Sequence, residues 1–367
     1  MTDLPPTRAQ PAGAESAGAQ TAKGHTALPA LWCLIAAALF GASVPLSKTL
    51  VATVGPFTLA GLLYLGGALG VLPFAFRGGS PHLRRDRRQR GMLALAVLLG
   101  GGVGPVLLLF GLRAAPAASV ALWLNAETVA TAILAWGLFR EHLDRRTVIA
   151  TGLVLAGGLL LAAPEGAAGW RAGMLVALAC LCWGLDNNLT ALVSAYTPAQ
   201  TTVLKGLGAG TMNLVIGLVL EGGLPSVGGS LGALGVGAFG YGLSILLYVK
   251  GAQQLGASRS QLLFSSSPFL GVALAWLVLR EPATAAQFGA AGLMMAGIAV
   301  MLTERHGHEH RHVATTHTHE HRHDDGHHLH VHPDLPAWAR HTHAHAHEPL
   351  IHAHPHAPDL HHRHGHG

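Results

Sequence analysis

The stretch Gly111–Glu141, GLRAAPAASVALWLNAETVATAILAWGLFRE, has a counterpart at Gly251–Glu281, GAQQLGASRSQLLFSSSPFLGVALAWLVLRE. The counterpart lies 140 residues later in the chain, and the two stretches align without a gap. A match at one fixed offset over this length indicates an internal duplication. The positions that are identical under this offset are Gly111, Ala117, Leu122, Leu134, Ala135, Trp136, Arg140 and Glu141, with Gly251, Ala257, Leu262, Leu274, Ala275, Trp276, Arg280 and Glu281, and the register continues where Gly152, Leu153, Ala156 and Gly157 meet Gly292, Leu293, Ala296 and Gly297.

The composition of the chain is that of a membrane protein. Half of its 367 residues are hydrophobic, and only 11% are charged, whereas a soluble domain is about one quarter charged. The 48 glycines fit this class, because glycine lets membrane helices approach one another closely. The net charge of +5 does not indicate nucleic-acid binding, since the basic residues cluster beside apolar runs. The sequence contains no nucleotide fingerprint, serine or cysteine catalytic motif or HExxH, so we expect neither an enzyme nor a required cofactor.

The apolar runs predict the architecture. A membrane-spanning helix needs roughly 20 mostly apolar residues, and the chain contains ten such runs. We therefore predict an all-α integral membrane protein with two inverted five-helix repeats, residues 29–164 and 165–304, between disordered termini at 1–28 and 305–367. The predicted helices are 30–50, 55–76, 91–112, 117–139, 147–163, 171–194, 199–220, 232–253, 257–279 and 285–303.

Basic residues in short loops predict the orientation of the helices. One arginine cluster lies between the second and third helices, and another follows the fourth. Both belong in the cytoplasm, which places both termini of a multi-pass protein on the cytoplasmic side of a bacterial inner membrane. Because each repeat has an odd number of helices, the second repeat is inverted relative to the first. Inverted repeats are typical of secondary transporters, in which two mirrored halves expose one central site alternately to either side. The two clusters are Arg77, Arg84, Arg85, Arg87, Arg88 and Arg90, and Arg140, Arg145 and Arg146.

The fourth and fifth helices of each repeat carry a recognisable pattern. The two versions are LAWGLFREHLDRRTVIATGLVLAGGLLL and LAWLVLREPATAAQFGAAGLMMAGIAV, each preceded by a Gly-rich third helix. These features resemble the EamA repeats of the drug/metabolite transporter superfamily over residues 30–303. The resemblance implies a transporter, in a family whose members export amino acids, drugs, nucleotide sugars and other metabolites. The ending HEPLIHAHPHAPDLHHRHGHG resembles a bacterial EamA subgroup with similar tails.

Glu127 is the clearest polar candidate inside a predicted helix. It lies near the middle of the fourth helix, where a charge is costly and is a functional candidate by default. We expect it to couple transport to protons or to bind a substrate amine. Asn125 precedes it by two residues, so one of the pair faces the cavity while the other packs or lines its edge. Under the offset Glu127 meets Ser267, in the run Ser265-Ser266-Ser267-Pro268, and Pro268 is expected to free backbone carbonyls. The alternative is that the serines bond back to their own helix.

A second polar group lies in WGLDNNLT, residues 183–190, on the sixth helix. Asp186 and Lys205 of the seventh helix are expected at the same depth, and an ion pair between them avoids two isolated charges. The pair could form part of a substrate or gating site, or it could only lock two helices together. The substrate-site candidates are Glu127, Asn125, Asp186, Asn187, Asn188, Lys205, Ser265, Ser266, Ser267, Trp183 and Tyr241. Tyr64 is expected to face lipid or to pack, and Lys48 to extend to the membrane surface.

The C-terminal tail holds 23 of the 26 histidines, mostly as alternating His-x. Neutral imidazoles suit Ni, Co, Zn and Cu, so we expect weak, exchangeable metal binding. The alternative is a solubilising tail with no metal function. The candidate ligands are His306, His308, His310, His312, His317, His319, His321, His323, His341, His343, His345, His347, His352, His354 and His356.

Three functions follow from these observations. The first is an inner-membrane secondary transporter, an exporter of small organic metabolites or drugs. The second is a divalent metal transporter with the tail as metal collector, and the third is a membrane metal sensor that transports nothing. The expected partners are a small-molecule substrate, the lipid bilayer and divalent metals, with a homodimer left open and no nucleic acid.

Overall fold

The computed structural model describes residues 27–75, 87–139, 145–193, 196–223, 225–255 and 257–302, and four strands within residues 306–356. The chain divides into two units, Met1–Thr303 and Glu304–Gly367. The predictions for residues 1–26, for the loops that carry Arg77 and Glu141, and for His323 lie outside the described residues.

Regular structure in the described part of the first unit is helical. We number the helices in chain order, and a number covers two or three pieces where a helix is interrupted. They are α1 (Ala27–Val51), α2 (Pro56–Ala75), α3 (Arg87–Ala96, Val97–Val103 and Gly104–Ala114), α4 (Ala117–Trp123 and Ala126–Phe139), α5 (Arg145–Ala162), α6 (Gly166–Ala191), α7 (Pro198–Leu220), α8 (Val227–Val236, Gly237–Leu243 and Ser244–Leu255), α9 (Ala257–Phe264 and Ser267–Val278) and α10 (Ala285–Leu302).

Eight helical runs among the described residues are long and apolar enough to cross a membrane. One of them, Arg145–Ala191, is 47 residues long and contains both α5 and α6. A 3-10 turn, Ala163–Glu165, separates these two helices, and Gly166 after it has a φ of 59°. The apolar part of α10, Ala285–Val300, is shorter than the eight runs. The all-helical membrane architecture is confirmed, whereas ten membrane passes stay a prediction.

Local sequence signals explain where several helices begin. Thr197 and Gln200 form a reciprocal capping box at the start of α7, which satisfies backbone donors that have no partner inside the helix. Thr284 and Gln287 make the same pair of contacts before α10. Ser226 accepts a hydrogen bond from the backbone of Gly229 at the start of α8.

Two kinds of helix interruption recur in both repeats. The π-helical segments Val97–Val103 and Gly237–Leu243 correspond to each other residue for residue under the offset of 140. The breaks in α4 and α9 correspond as well, because Ala126–Phe139 resumes after Asn125, and Ser267–Val278 resumes after Ser266. The sequence predicts an interruption near Pro268, which is confirmed. The break beside Asn125 has no proline and is not predicted.

One end of the helical unit carries contacts between the repeats. Glu221, after α7, accepts hydrogen bonds from the backbone N–H of Phe57 and Thr58 at 2.9 Å each, in the first turn of α2. Glu281, after α9, accepts from Ala117 and Ala118 at 2.8 and 2.9 Å, in the first turn of α4. Both carboxylates come from the second repeat, and both helix N-termini come from the first. We call this end the capped face.

Lys48 joins two further helix ends at the capped face. Its ammonium donates to the carbonyls of Leu112 and Ala115 at 2.6 and 2.8 Å, where α3 ends. A cation at a helix C-terminus satisfies carbonyls that lack a partner and complements the helix dipole. The prediction that Lys48 extends to the membrane surface is therefore wrong, because these carbonyls provide a closer partner.

The second unit contains two antiparallel strand pairs. They are β1 (His306–His312) with β4 (Leu350–His356), and β2 (Thr315–His321) with β3 (His341–His347). The predicted disorder of residues 305–367 does not describe these four segments. Alternation with a period of two is the pattern of a strand, and it is the signal that composition alone misses.

Candidate functional site

The predicted ion pair lies at the centre of the candidate site. The Lys205 ammonium is 2.5 Å from Oδ1 of Asp186, and the side chains are 17% and 10% exposed. Thr190 donates a hydrogen bond to the same oxygen at 3.0 Å. The pair joins α6 to α7 and confirms the prediction of matching depth. It shows the contact but leaves its role in substrate binding a prediction.

Gly100, in the first π segment, brings α3 against this carboxylate. A Cβ at Gly100 would lie 2.2 Å from Oδ2 of Asp186, so only glycine fits this close approach. The Gly100 carbonyl accepts hydrogen bonds from the Trp183 indole and the Tyr64 hydroxyl, each at 2.8 Å. A π segment shifts the backbone hydrogen-bond pattern and is often found at functional sites. Neither the π segment nor its bonds to side chains are evident from the sequence.

Glu127 forms the second polar contact of the site. Its Oε1 accepts a hydrogen bond from the Asn187 amide at 2.9 Å, and the same amide lies 3.4 Å from Oγ1 of Thr131. Glu127 lies in the first turn of Ala126–Phe139, directly after the break in α4. The break therefore places a helix N-terminus beside this carboxylate, and the helix dipole favours negative charge there. Asn187 is exposed, so this contact borders open space.

Aromatic rings extend from the polar groups toward α8 and α9. The centroid of Tyr64 is 6.0 Å from that of Tyr241, which is 5.9 Å from that of Phe40. Phe40 continues to Phe264 at 5.4 Å, and Phe264 to Tyr248 at 4.9 Å. The prediction that Tyr64 faces lipid or only packs is wrong, because its hydroxyl is fixed beside the Asp186 pair. We call this row the aromatic wall.

Two predicted candidates serve packing instead of the site. Asn125 is buried, donates to the Leu122 carbonyl at 2.8 Å, and contacts the sulfur of Met294 in α10 at 3.6 Å. Asn188 is also buried and donates to the carbonyls of Thr131 and Gly184 at 3.1 and 2.8 Å. Each side chain binds helix backbone, so neither is directed into open space.

The serine candidates behave as their structural alternative predicts. Ser265 donates to the carbonyls of Gln261 and Leu262, and Ser266 donates to that of Leu263. Ser267 is buried, and its backbone carbonyl approaches Gly41 so closely that a Cβ there would lie 2.3 Å away. These serines stabilise the interruption of α9 and the contact with α1.

The sequence misses a buried asparagine that holds the first π segment. Asn213 of α7 is 1% exposed, and its amide donates to the carbonyls of Gly101 and Gly102 at 3.2 and 3.1 Å. A buried amide that satisfies irregular backbone is expected where a helix departs from the α pattern. Its depth within α7, two turns beyond Lys205, is the signal that could have identified it.

A resident metal site is not found in the helical unit. Among the residues that the structure describes, no three His, Cys, Asp or Glu side chains lie close enough together to hold an ion. Glu127 and Asp186 each have a partner of their own, Asn187 and Lys205.

Comparison with known proteins agrees with this geometry. Residues 27–163 and 170–303 each match the EamA-like transporter family. A protein of Methanothermobacter thermautotrophicus (strain Delta H) described as an uncharacterized transporter is 26% identical over 292 residues, which cover 73% of this chain and 84% of that protein. A crystal structure of a protein that is 18% identical has a TM-score of 0.56 and covers 74% of this chain and 95% of the other. At that identity the structural likeness shows the fold alone.

Proposed function

The chain belongs to the EamA-like transporter family, and from this premise we propose that it is a secondary transporter of small organic metabolites or drugs that works by alternating access. The observation that carries the proposal is the pair of contacts Glu127–Asn187 and Asp186–Lys205 among interrupted helices. Irregular backbone beside charged groups at membrane depth is typical of a transporter binding site.

The proposed topology has ten passes in a bacterial inner membrane. The turn at Ala163–Glu165 divides the long run Arg145–Ala191 into two passes, and α10 provides the last. Arginines before α3 and at the start of α5 place their helix ends in the cytoplasm. The capped face is then the outer face, and both termini are cytoplasmic.

The site fits a substrate that has both polar and apolar parts. Glu127 offers an acceptor for an amine, Lys205 is a cation beside Asp186, and the aromatic wall offers apolar surface and ring faces. Asn187, Gln261 and the Tyr248–Gln261 bond are exposed on the side away from the capped face. An opening toward the cytoplasm is the arrangement that an exporter needs to load its substrate.

A thermal-shift screen of the full-length protein tests this proposal. At a concentration 100 times its Kd, a binding metabolite or drug is expected to stabilise the protein by about 2.7 kcal/mol and raise Tm by about 5 °C. The control is Asn187→Ala, which removes an exposed amide of the site and should reduce the shift. Each hit is then loaded into proteoliposomes to measure counterflow. Stabilisation by divalent metals alone, with no counterflow of any organic hit, would argue for the metal transporter.

We propose in addition that the tail binds divalent transition metals, as a collector or as a sensor. The strand register favours this function, because histidine is the Cα partner of histidine at three positions in each pair. Directly opposite residues on neighbouring strands are close together. The aligned pairs are His306–His356, His308–His354, His310–His352, His317–His345, His319–His343 and His321–His341.

Truncation tests the role of the tail. The full chain is expected to bind several Ni²⁺ or Zn²⁺ ions in equilibrium dialysis at pH 7.5, and a chain that ends at residue 305 is expected to bind almost none. The matched control replaces the six paired histidines of β2 and β3 by glutamine and should retain about half of the sites. Equal metal binding by the truncated chain would contradict the assignment. Loss of metal response with unchanged metabolite transport would favour a sensor over a collector.

A further inference from the structure

The capped face joins the repeats through two contacts of the same design. In each, a glutamate that follows a helix of the second repeat binds two consecutive backbone amides at the start of a helix of the first repeat. The glutamates are 164 and 163 residues from their partners in both contacts. The helices joined in this way, α2 with α7 and α4 with α9, are the equivalent helices of the two repeats.

These contacts are strong for their size. The first amides of a helix have no partner within it, and the helix dipole adds positive potential at the same place. A carboxylate that accepts two such bonds is a charge-assisted acceptor, and its bonds are stronger than those between neutral groups. Glu165, at the same face, is a useful contrast, because its printed contact is a single 3.5 Å bond from the hydroxyl of Ser119.

Packing beneath the Glu281 contact is tight. All seven residues of Ala117–Trp123 are buried, and this piece of α4 packs against Ser267–Val278 of α9. Gln287 adds a bond from its amide to Ser119 at 3.3 Å. Beyond the break in α4, Glu127 is only half-buried and its partner Asn187 is exposed. The site is therefore shielded on the side of the capped face.

We propose that Glu221 and Glu281 are the closing contacts of a gate at the capped face, and that both release their helix N-termini when the site opens there. This inference rests on the proposed alternating-access transport. The gate explains why a contact is made between the repeats instead of within one, since only a contact across the repeats breaks when they move apart. Two contacts on equivalent helix pairs then open together.

Hydrogen exchange of the full-length protein in lipid nanodiscs, measured by mass spectrometry without any substrate, tests the gate. Glu281→Gln keeps the shape of the side chain but removes its charge and one acceptor. Its expected effect is about tenfold faster exchange at residues 117–118, and a similar increase at residues 57–58, which Glu221 still binds. Glu221→Gln is expected to give the reciprocal result, and Glu165→Gln is expected to change neither site more than about twofold.

The crossed effect decides the outcome. Faster exchange confined to the helix that lost its own carboxylate would mean two independent caps and would overturn the gate. An equal effect of Glu165→Gln would also overturn it. If a glutamine variant does not fold, Glu281→Asp and Glu221→Asp keep the charge on a shorter side chain and should give the same crossed pattern at smaller amplitude. Because the measurement needs no substrate, a failure of the transport proposal in counterflow leaves this result readable.

Discussion

Replacing Lys205 by methionine is expected to lower Tm by about 10 °C and to abolish transport. The substitution leaves the buried Asp186 carboxylate without its cation, and breaking a buried ion pair in this way costs about 3–5 kcal/mol. Methionine retains most of the length and apolar volume of the lysine side chain, so lost packing contributes little. Thermal unfolding in detergent gives the first quantity, and counterflow of the substrate found by thermal shift gives the second.

The double variant Asp186→Asn/Lys205→Met separates stability from function. It removes both charges, so Tm is expected to return to within about 3 °C of the parent. Transport is expected to stay lost, because the charges that contact substrate are gone. If the double variant recovers both stability and transport, the pair only locks α6 to α7 and has no part in the substrate site.

Replacing Glu127 by glutamine is expected to lower transport by about tenfold or more and to make the remaining rate independent of pH. Glutamine keeps the size of the side chain and can still bind the Asn187 amide, but it cannot carry a proton or attract an amine. The measurement is counterflow and proton-driven transport in proteoliposomes between pH 5.5 and 8.5. Only a group that changes its charge during transport accounts for both losses.

Glu165→Gln is the matched control for this experiment. It removes a carboxylate that lies at the capped face, away from the Asn187 contact. Its transport rate and pH profile are expected to stay close to those of the parent. A Glu127→Gln variant with the parent rate and the parent pH profile would remove Glu127 from both coupling and substrate binding.

The sequence predicts the outline of this molecule well because the strongest signals are local or periodic. Apolar runs identify the helices, and the fixed offset identifies the repeat. The Asp186–Lys205 pair follows from counting residues from the helix ends, since depth in a straight helix is proportional to distance along the chain. The family follows from the residues that the two repeats share.

The remaining features depend on contacts between distant parts of the chain. Asn125 and Asn188 look like site residues, yet each turns to a backbone carbonyl that only the folded helices present. Tyr64 joins the site because the π segment offers it the carbonyl of Gly100. Glu281 caps α4 because α9 ends beside the start of α4. None of these partners is visible from neighbouring residues.

The matched π segments bear on the history of the chain. A π segment contains one residue more than the regular helix around it, so it records an insertion. Val97–Val103 and Gly237–Leu243 hold that insertion at the same position of each repeat, with one offset from there to the breaks in α4 and α9. A single insertion that was already present in an ancestral half-length gene accounts for both copies. That ancestor had to insert into the membrane in both orientations, and arginines acquired later in the loops fixed one orientation for each half.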